Sequence, residues 1–342
     1  ARDGIHLVKY WFSITDEEQQ TTCAVSDGDA DGDGVVGPYY GGDDCDDTTG
    51  AVSPAADELC NSIDDNCSGS VDDATASFVD TNGTWTAVPD LGTGTAASPV
   101  GATIIADGTL YFCPGTHYVA LETGEDTTLG ISGTDVVVAG ITSSAGDTVL
   151  DGGGSQRVFG VGIEGDVLIE NLTIQNGQTG SSGGNISCAI ANSTLELDNV
   201  VVTGGLASIS GGGIYASECE LDLTDSSVTN NTAYSINSFL NEVVGKGGGI
   251  YLSNGDLYAE GVEFSGNTAT VGGAIRLYGS DGDCYDADLV DTWVLNNTAT
   301  GATTNKGGGI AVQTTNETDY YVDCETSSGT SGFYGNTADT GT

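Results

Sequence analysis

The chain has 342 residues with 50 Asp and Glu against 6 Lys and Arg, a formal charge of −44; this excludes nucleic acid and anionic membrane surfaces as partners, since phosphate binding needs a basic surface, and makes cations the natural counter-species. Hydrophobic residues at 38% allow one large solenoid plus a small module, and 54 glycines without a triplet period exclude collagen. Nine cysteines with no His/Cys pairing of a catalytic kind point to an oxidising compartment and leave one thiol over, while no run of roughly 18 apolar residues provides a transmembrane helix.

With no Met and no leader, the sequence reads as a mature protein or an excised fragment. Residues 1–22 stand apart from the rest. Residues 4–14 read as a strand, and Thr15 with Glu18 makes a capping box for a short helix. The run Lys9-Tyr10-Trp11-Phe12-Ser13-Ile14, followed by Asp16-Glu17-Glu18-Gln19, resembles a segment of family-2 polyphosphate kinases. The phosphate-binding Gly-Lys loop of those enzymes is absent, so no kinase activity is carried over and the segment stays unassigned.

Residues 23–75 form an acidic, cysteine-bearing module. Asp27, Asp29, Asp31 and Asp33 fall on alternate residues, and Asp43, Asp44, Asp46 and Asp47 flank Cys45. A second cluster holds Asp64, Asp65, Asn66, Ser68 and Asp72. Like charges ~4 Å apart repel by about 4 kcal/mol at an effective dielectric near 20, so such loops need a cation to fold. Calcium takes roughly 6–8 oxygen ligands in irregular geometry and fits best. Zinc prefers imidazole or thiolate, and His6 and His117 lie outside the module. The candidate Ca2+ ligands are therefore these thirteen side chains. The spacing matches an EF-hand loop only in part, because the twelfth positions are Pro38 and Thr75 and not Glu. Cys23, Cys45, Cys60 and Cys67 suggest two local disulfides, with three pairings open. The pattern D-D-C-D-D, then P-x-x-x-E-x-C-N-x-x-D-D-x-C-x-G-x-x-D-D, resembles the metal-binding motif of MopE-type bacterial surface proteins. The resemblance implies metal binding.

Residues 76–100 are rich in Thr, Ala, Gly and Pro and read as a linker or N-terminal cap. From 101 to 342 the chain repeats. Gly-Gly-x-Ile recurs at 183–186, 211–214, 247–250, 272–275 and 307–310. An apolar residue followed by x-x-Asn-Thr-Ala recurs at 228–233, 264–269, 294–299 and 333–338. Between them, apolar residues sit at relative positions 0, 2, 5 and 7, as in Val167, Ile169, Leu172 and Ile174. Steps of two are β alternation; the step of three forces a bend. The residue there is Asn171, Asn199, Asp225, Gly261 or Asp291, types that tolerate a left-handed backbone. The Gly-Gly-x-Ile motif supplies a third strand, with Cys188, Ala216, Leu252, Leu277 and Val312 pointing inward. Asn231, Asn267, Asn297 and Asn336 are expected to stack in a ladder.

Stacked identical positions without intervening helices imply a parallel β-helix. Residues 107–118 and 147–154 resemble the opening coils of pectin-lyase-like β-helices, and the two repeat motifs together resemble bacterial polymorphic outer-membrane proteins. The expected fold is all-β: a right-handed parallel β-helix of three strands per coil behind a small metal-binding module. About eight coils at ~4.8 Å give a rod on the order of 40 Å long. The resemblance implies surface exposure and adhesion. The sequence stops in mid-repeat at Thr342 without a polar cap, so either more protein or another subunit is expected against that end.

Cys188 is expected to be a buried thiol, and Cys284 and Cys324 occupy similar places in successive coils and could bridge. The basic residues of the repeat are Arg157, Lys246, Arg276 and Lys306; Lys246 and Lys306 precede Gly-Gly-Gly-Ile runs, and Arg276 is expected to face outward. The insertion with Asp281, Asp283, Asp286 and Asp288 reads as a solvated loop, with calcium or sugar binding as the alternative. Sequons at Asn230 and Asn296 follow from the repeat itself. The expected function is a non-enzymatic, calcium-binding extracellular or cell-surface protein with an adhesive or fibre-forming role. Its expected partners are calcium, itself by end-to-end stacking, or surface polysaccharide; no nucleic acid and no membrane insertion are expected. The alternative is a carbohydrate-active β-helix enzyme, a polysaccharide lyase or hydrolase.

Overall fold

A computed structural model describes residues 28–74, 76–88, 94–95, 102–104, 107–119, 127–131, 134–162, 164–234, 236–237, 242–243, 245–280, 284–300, 307–315, 319–325 and 332–338. Asp27, Cys23, Lys306, Asp281 and Asp283 lie outside the described residues, as does the segment 1–22. The described residues divide into two compact units, one within Ala1–Ala56 and Asp65–Gly69, the other within Asp57–Asp64 and Ser70–Thr342.

Among its described residues, the smaller unit is loop apart from a 3-10 turn at Pro38–Tyr40. Its backbone closes through Gly37 N–H to Gly28 O at 2.8 Å and Asp44 N–H to Val36 O at 3.2 Å. The disulfide Cys45–Cys67 staples it.

The larger unit is all-β. Four sheets carry its coils: one of ten strands, two of eight and one of six. A single coil runs Asp166–Glu170, Thr173–Gln175, Gln178–Thr179 and Ile186–Cys188, one strand in each sheet. The next coil repeats it as Ser193–Asp198, Val201–Thr203, Leu206–Ala207 and Ile214–Ser217. Each strand pairs in parallel with its counterpart in register, so Val167 lies beside Leu195, then Leu221, Leu257 and Ala287. Ile186, Ile214, Ile250, Ile275 and Ile310 form a second such column. This arrangement of parallel sheets is consistent with a β-helix.

Alternation decides what is buried. In Ser193–Asp198 the odd residues are buried and the even ones half-buried or exposed. The bend after this strand is a single left-handed residue: Asn171 (φ 57°), Asn199 (52°), Asp225 (45°), Gly261 (68°) and Asp291 (46°). Ser226 and Thr292 replace an apolar residue inside the coil. Each hydroxyl is absorbed by a main-chain carbonyl, Ser226 Oγ by Thr224 O at 2.7 Å and Thr292 Oγ1 by Val290 O at 2.9 Å.

Several sequence expectations need correction. The coil has a fourth, two-residue strand that the three-strand count left out. It is the Thr-Ala pair of the Asn-Thr-Ala motif, as at Thr298–Ala299 beside Thr268–Ala269. The Asn ladder is longer than expected: Asn185, from the Gly-Gly-x-Ile motif, donates through Nδ2 to Asn231 Oδ1 at 3.2 Å. Cys188 is inward but no free thiol, since it bonds Cys219, which opens the strand stacked on Ser193–Asp198. Cys60 pairs with Cys113 and with neither module cysteine. Cys284 aligns with Asp319 and Cys324 with Leu289; five residues along neighbouring strands is about 17 Å, beyond disulfide reach. Val312, expected inward, is 40% exposed, because no described coil stacks on it. Arg276 alternates with inward Ile275 and Leu277 yet is buried, and its Nη2 donates to Gln313 Oε1. Burial also pushes its guanidinium pKa down.

Residues 76–87 form the antiparallel hairpin Ala76–Asp80 and Trp85–Ala87, whose first strand also pairs antiparallel with Gly108–Phe112. The hairpin thereby covers Gly108–Phe112, the first of the parallel strands, and leaves the three-residue strand Trp85–Ala87 as the outer strand of the ten-stranded sheet at that end.

Candidate metal centre

The smaller unit positions its carboxylates with backbone amides. Asp29 accepts from Gly32 N at 2.7 Å through Oδ1 and from Gly34 N at 3.0 Å through Oδ2. Asp33 Oδ1 accepts from Val35 N, and Asp31 Oδ1 from Asp33 N. These are Asx turns, the local alternative that Asp offers to regular structure. Gly28, Gly32 and Gly34 supply the left-handed residues between them, at φ 91°, 83° and 97°. The second Asp run reaches back to the first, because Asp47 Oδ1 accepts from Ala30 N at 2.7 Å.

Two carboxylate triads result. Asp29, Asp31 and Asp47 bring one oxygen each within 4.8 Å of one another, and so do Asp31, Asp33 and Asp44. Asp44 is fully buried. Its Oδ1 accepts from Asp46 N at 2.9 Å, while its Oδ2 is shut from solvent with no hydrogen-bond partner. Asp31 Oδ2 is in the same condition. A buried carboxylate oxygen without a donor is costly unless a cation serves it. Loss of surrounding water, together with Asp33, Asp44 and Asp29 nearby, raises the Asp31 pKa above its ordinary value.

The other described members of the predicted set are placed apart from these triads. Asp43 and Asp46 are exposed, and Asp46 Oδ1 accepts from Thr48 Oγ1 at 2.6 Å. Asn66 Oδ1 caps Ser68 N at 2.9 Å, and buried Asp65 gives its carbonyl to Ser53 N. In the larger unit, Asp72 Oδ1 accepts from Asn61 N and Ser62 N, while Glu58 Oε1 accepts from Asp72 N. Among the described residues, Asp43, Asp46, Asp64, Asp65, Asn66, Ser68 and Asp72 enter neither triad. Every member of the triads belongs to the sequence-predicted set. What the sequence missed was which of them converge, a matter of the Asp47–Ala30 closure.

The donor set is oxygen throughout. The module's described cysteines are Cys45 and Cys67, bonded to each other, and Cys60, bonded to Cys113. None of them is a thiolate. Such a set fits a hard cation and lacks the soft sulfur or imidazole that copper sites use.

In the larger unit, the side chains of Arg157 and Arg276 make structural contacts, whereas that of Lys246 is exposed. Arg157 donates to Gly183 O, Ser182 O and Ser181 Oγ. Arg276 is buried against Gln313. Lys246 is exposed and bridges Ser210 and Val271 through its backbone.

Comparison with known proteins bears on both units. Over 174 residues the chain is 32% identical to a protein named "Probable autotransporter YfaL" of Escherichia coli strain K12, covering 47% of this chain. The chain spans only 14% of that relative's length. No solved structure matches. Residues 44–73 match a family model, Cu-binding_MopE, described as "Putative metal-binding motif", and this segment contains Asp44 and Asp47 of the two triads.

Proposed function

We propose that the protein works outside the cell as a non-enzymatic, calcium-binding surface protein whose right-handed parallel β-helix, with three principal strands per coil, presents an adhesive or fibre-forming surface. The observation that carries the metal half is the buried carboxylate of Asp44, clustered with Asp31 and Asp33 and with its Oδ2 lacking any hydrogen-bond partner. Calcium is preferred over copper because every donor is oxygen. Three disulfides support an oxidising compartment, and the similarity to a protein named as an autotransporter supports the cell surface. End-to-end stacking of coils and surface polysaccharide are the proposed partners.

The test is calcium titration against a thermal melt. Millimolar calcium should raise the melting temperature of the acidic module by several degrees, and chelation should reverse it. No shift and no heat of binding would remove the metal half. Sedimentation with and without calcium addresses self-association, and a glycan array addresses polysaccharide.

One feature favours a carbohydrate-active reading instead. The ten-stranded sheet carries a shallow groove lined by Glu220, Asp222, Asp256, Asp286 and Asp288, with Tyr258 beside them. Carboxylates with an exposed aromatic ring are the equipment of saccharide sites. Turnover on a polyuronide panel would establish it.

A further inference from the structure

We propose that the acidic loop of the smaller unit holds two cations, not one, with Asp31 as the carboxylate they share. This rests on the metal-binding reading above and adds the number of ions and the ligands of each.

The five carboxylates do not close on one point. They form two triads that have only Asp31 in common: Asp29 and Asp47 on one side, Asp33 and Asp44 on the other. Within each triad the oxygens lie no more than 4.8 Å apart. An ion at their centre would stand within about 2.8 Å of each, close to the roughly 2.3–2.6 Å of calcium–oxygen bonds. A single ion could satisfy one triad only, leaving the other as three clustered charges.

The unsatisfied atoms mark the same place. Asp44 is fully buried, its Oδ2 has no donor, and one of its carboxylate oxygens lies within 4.8 Å of those of Asp31 and Asp33. Asp31 Oδ2 is also buried without a donor, and its Oδ1 has the 3.2 Å bond from Asp33 N. The shared residue is thus one of the two, with Asp44, that have a buried oxygen without a donor. Asp29, by contrast, has backbone donors on both oxygens, and Asp47 and Asp33 have one each. These hold the outer ligands in position and leave lone pairs for an ion.

Charge points the same way. Five carboxylates with one divalent cation keep three net negative charges in a tight loop, whereas with two they keep one. Water and main-chain carbonyls would complete the roughly six to eight ligands of each ion.

Native mass spectrometry and calorimetry with calcium, on the full chain with its disulfides intact, decide the matter. Asn replacements keep the backbone-capping oxygen, so Asx turns survive. Asp31→Asn should remove two calcium equivalents relative to wild type. Asp33→Asn and Asp47→Asn should each remove one, or weaken one at least tenfold, and leave the other. Loss of a single equivalent in Asp31→Asn, or weakening of one and the same site by Asp33→Asn and Asp47→Asn, overturns the two-ion assignment while leaving metal binding intact. Absence of any calcium uptake that these variants alter overturns both. A circular dichroism melt of each variant, superimposable on wild type in chelator, shows that altered stoichiometry is not altered folding.

Discussion

Asn267 commits its whole side-chain amide to the interior. Nδ2 donates to Val228 O at 2.8 Å and Asn297 Oδ1 at 3.0 Å, while Oδ1 accepts from Asn231 N and Nδ2. Asn267→Ala would leave the Val228 carbonyl and the Asn231 amide buried and unpaired. At roughly 1–3 kcal/mol for each orphaned group, the loss should be about 3 kcal/mol in urea unfolding; a loss below about 1 kcal/mol would show that the ladder is ornamental. Gly205 gives a sharper case. The repeat has Asn at this place in other coils, but here Asn185 donates to Thr203 O and its Oδ1 accepts from Gly177 N. A Cβ on Gly205 would sit 2.2 Å from Gly212 O and 2.7 Å from Asn185 Nδ2. Restoring the consensus by Gly205→Asn should therefore lower the melting temperature by several degrees, where a consensus rule alone would raise it.

At the scale of elements, the register of the ten-stranded sheet stacks carboxylates. Glu196 lies beside Asp222, and Glu170 beside Asp198. Partial burial comes first and these neighbours second in raising the Glu170 and Glu196 pKa values; burial alone raises that of Asp222. A carboxyl whose folded pKa exceeds its unfolded value binds more protons when folded. Its penalty is fully present at neutral pH and is relieved as pH falls through the folded pKa toward the unfolded value near 4.5 for Glu. In chelator, the larger unit should melt higher at about pH 5 than at pH 7. Glu196→Gln should raise the melt at pH 7 and shrink that difference; an unchanged pH difference would refute the stacking argument.

The corners were readable from the sequence because a left-handed residue restricts choice to Asn, Asp or Gly, and Asn171, Asn199, Asp225, Gly261 and Asp291 keep that spacing. The fourth sheet was not readable, since a Thr-Ala pair behind Asn carries no alternation long enough to mark a strand. Disulfide partners were hidden for a related reason. Cys188 meets Cys219 at a sequence separation of 31, a little more than one coil, and only the winding of the chain brings them together. In the acidic module every Asp run looks alike. Asp44 and Asp72 differ in what surrounds them: a partnerless oxygen at Asp44, two backbone donors at Asp72.

Across the whole molecule, the charge of −44 opposes compaction through like-charge repulsion. Salt should relieve it: raising sodium chloride from about 10 mM to 0.5 M shrinks the Debye length from roughly 30 Å to about 4 Å and should raise the melting temperature without any specific ion. An additional calcium effect at fixed ionic strength would then report the module alone.

The Cys60–Cys113 bond spans 53 residues that include the hairpin at 76–87. Tension applied to the chain ahead of Cys60 passes through sulfur straight into the strand-bearing body, so the hairpin is a mechanical bypass that cannot be peeled while the bond stands. Stretched in an oxidising buffer, the molecule should lack this length; in reductant this loop should contribute about 180 Å of contour, at roughly 3.5 Å per residue, beside what the other two disulfides release. For a protein tethered at a surface and tugged by flow, the covalent shortcut would keep its leading edge folded under load.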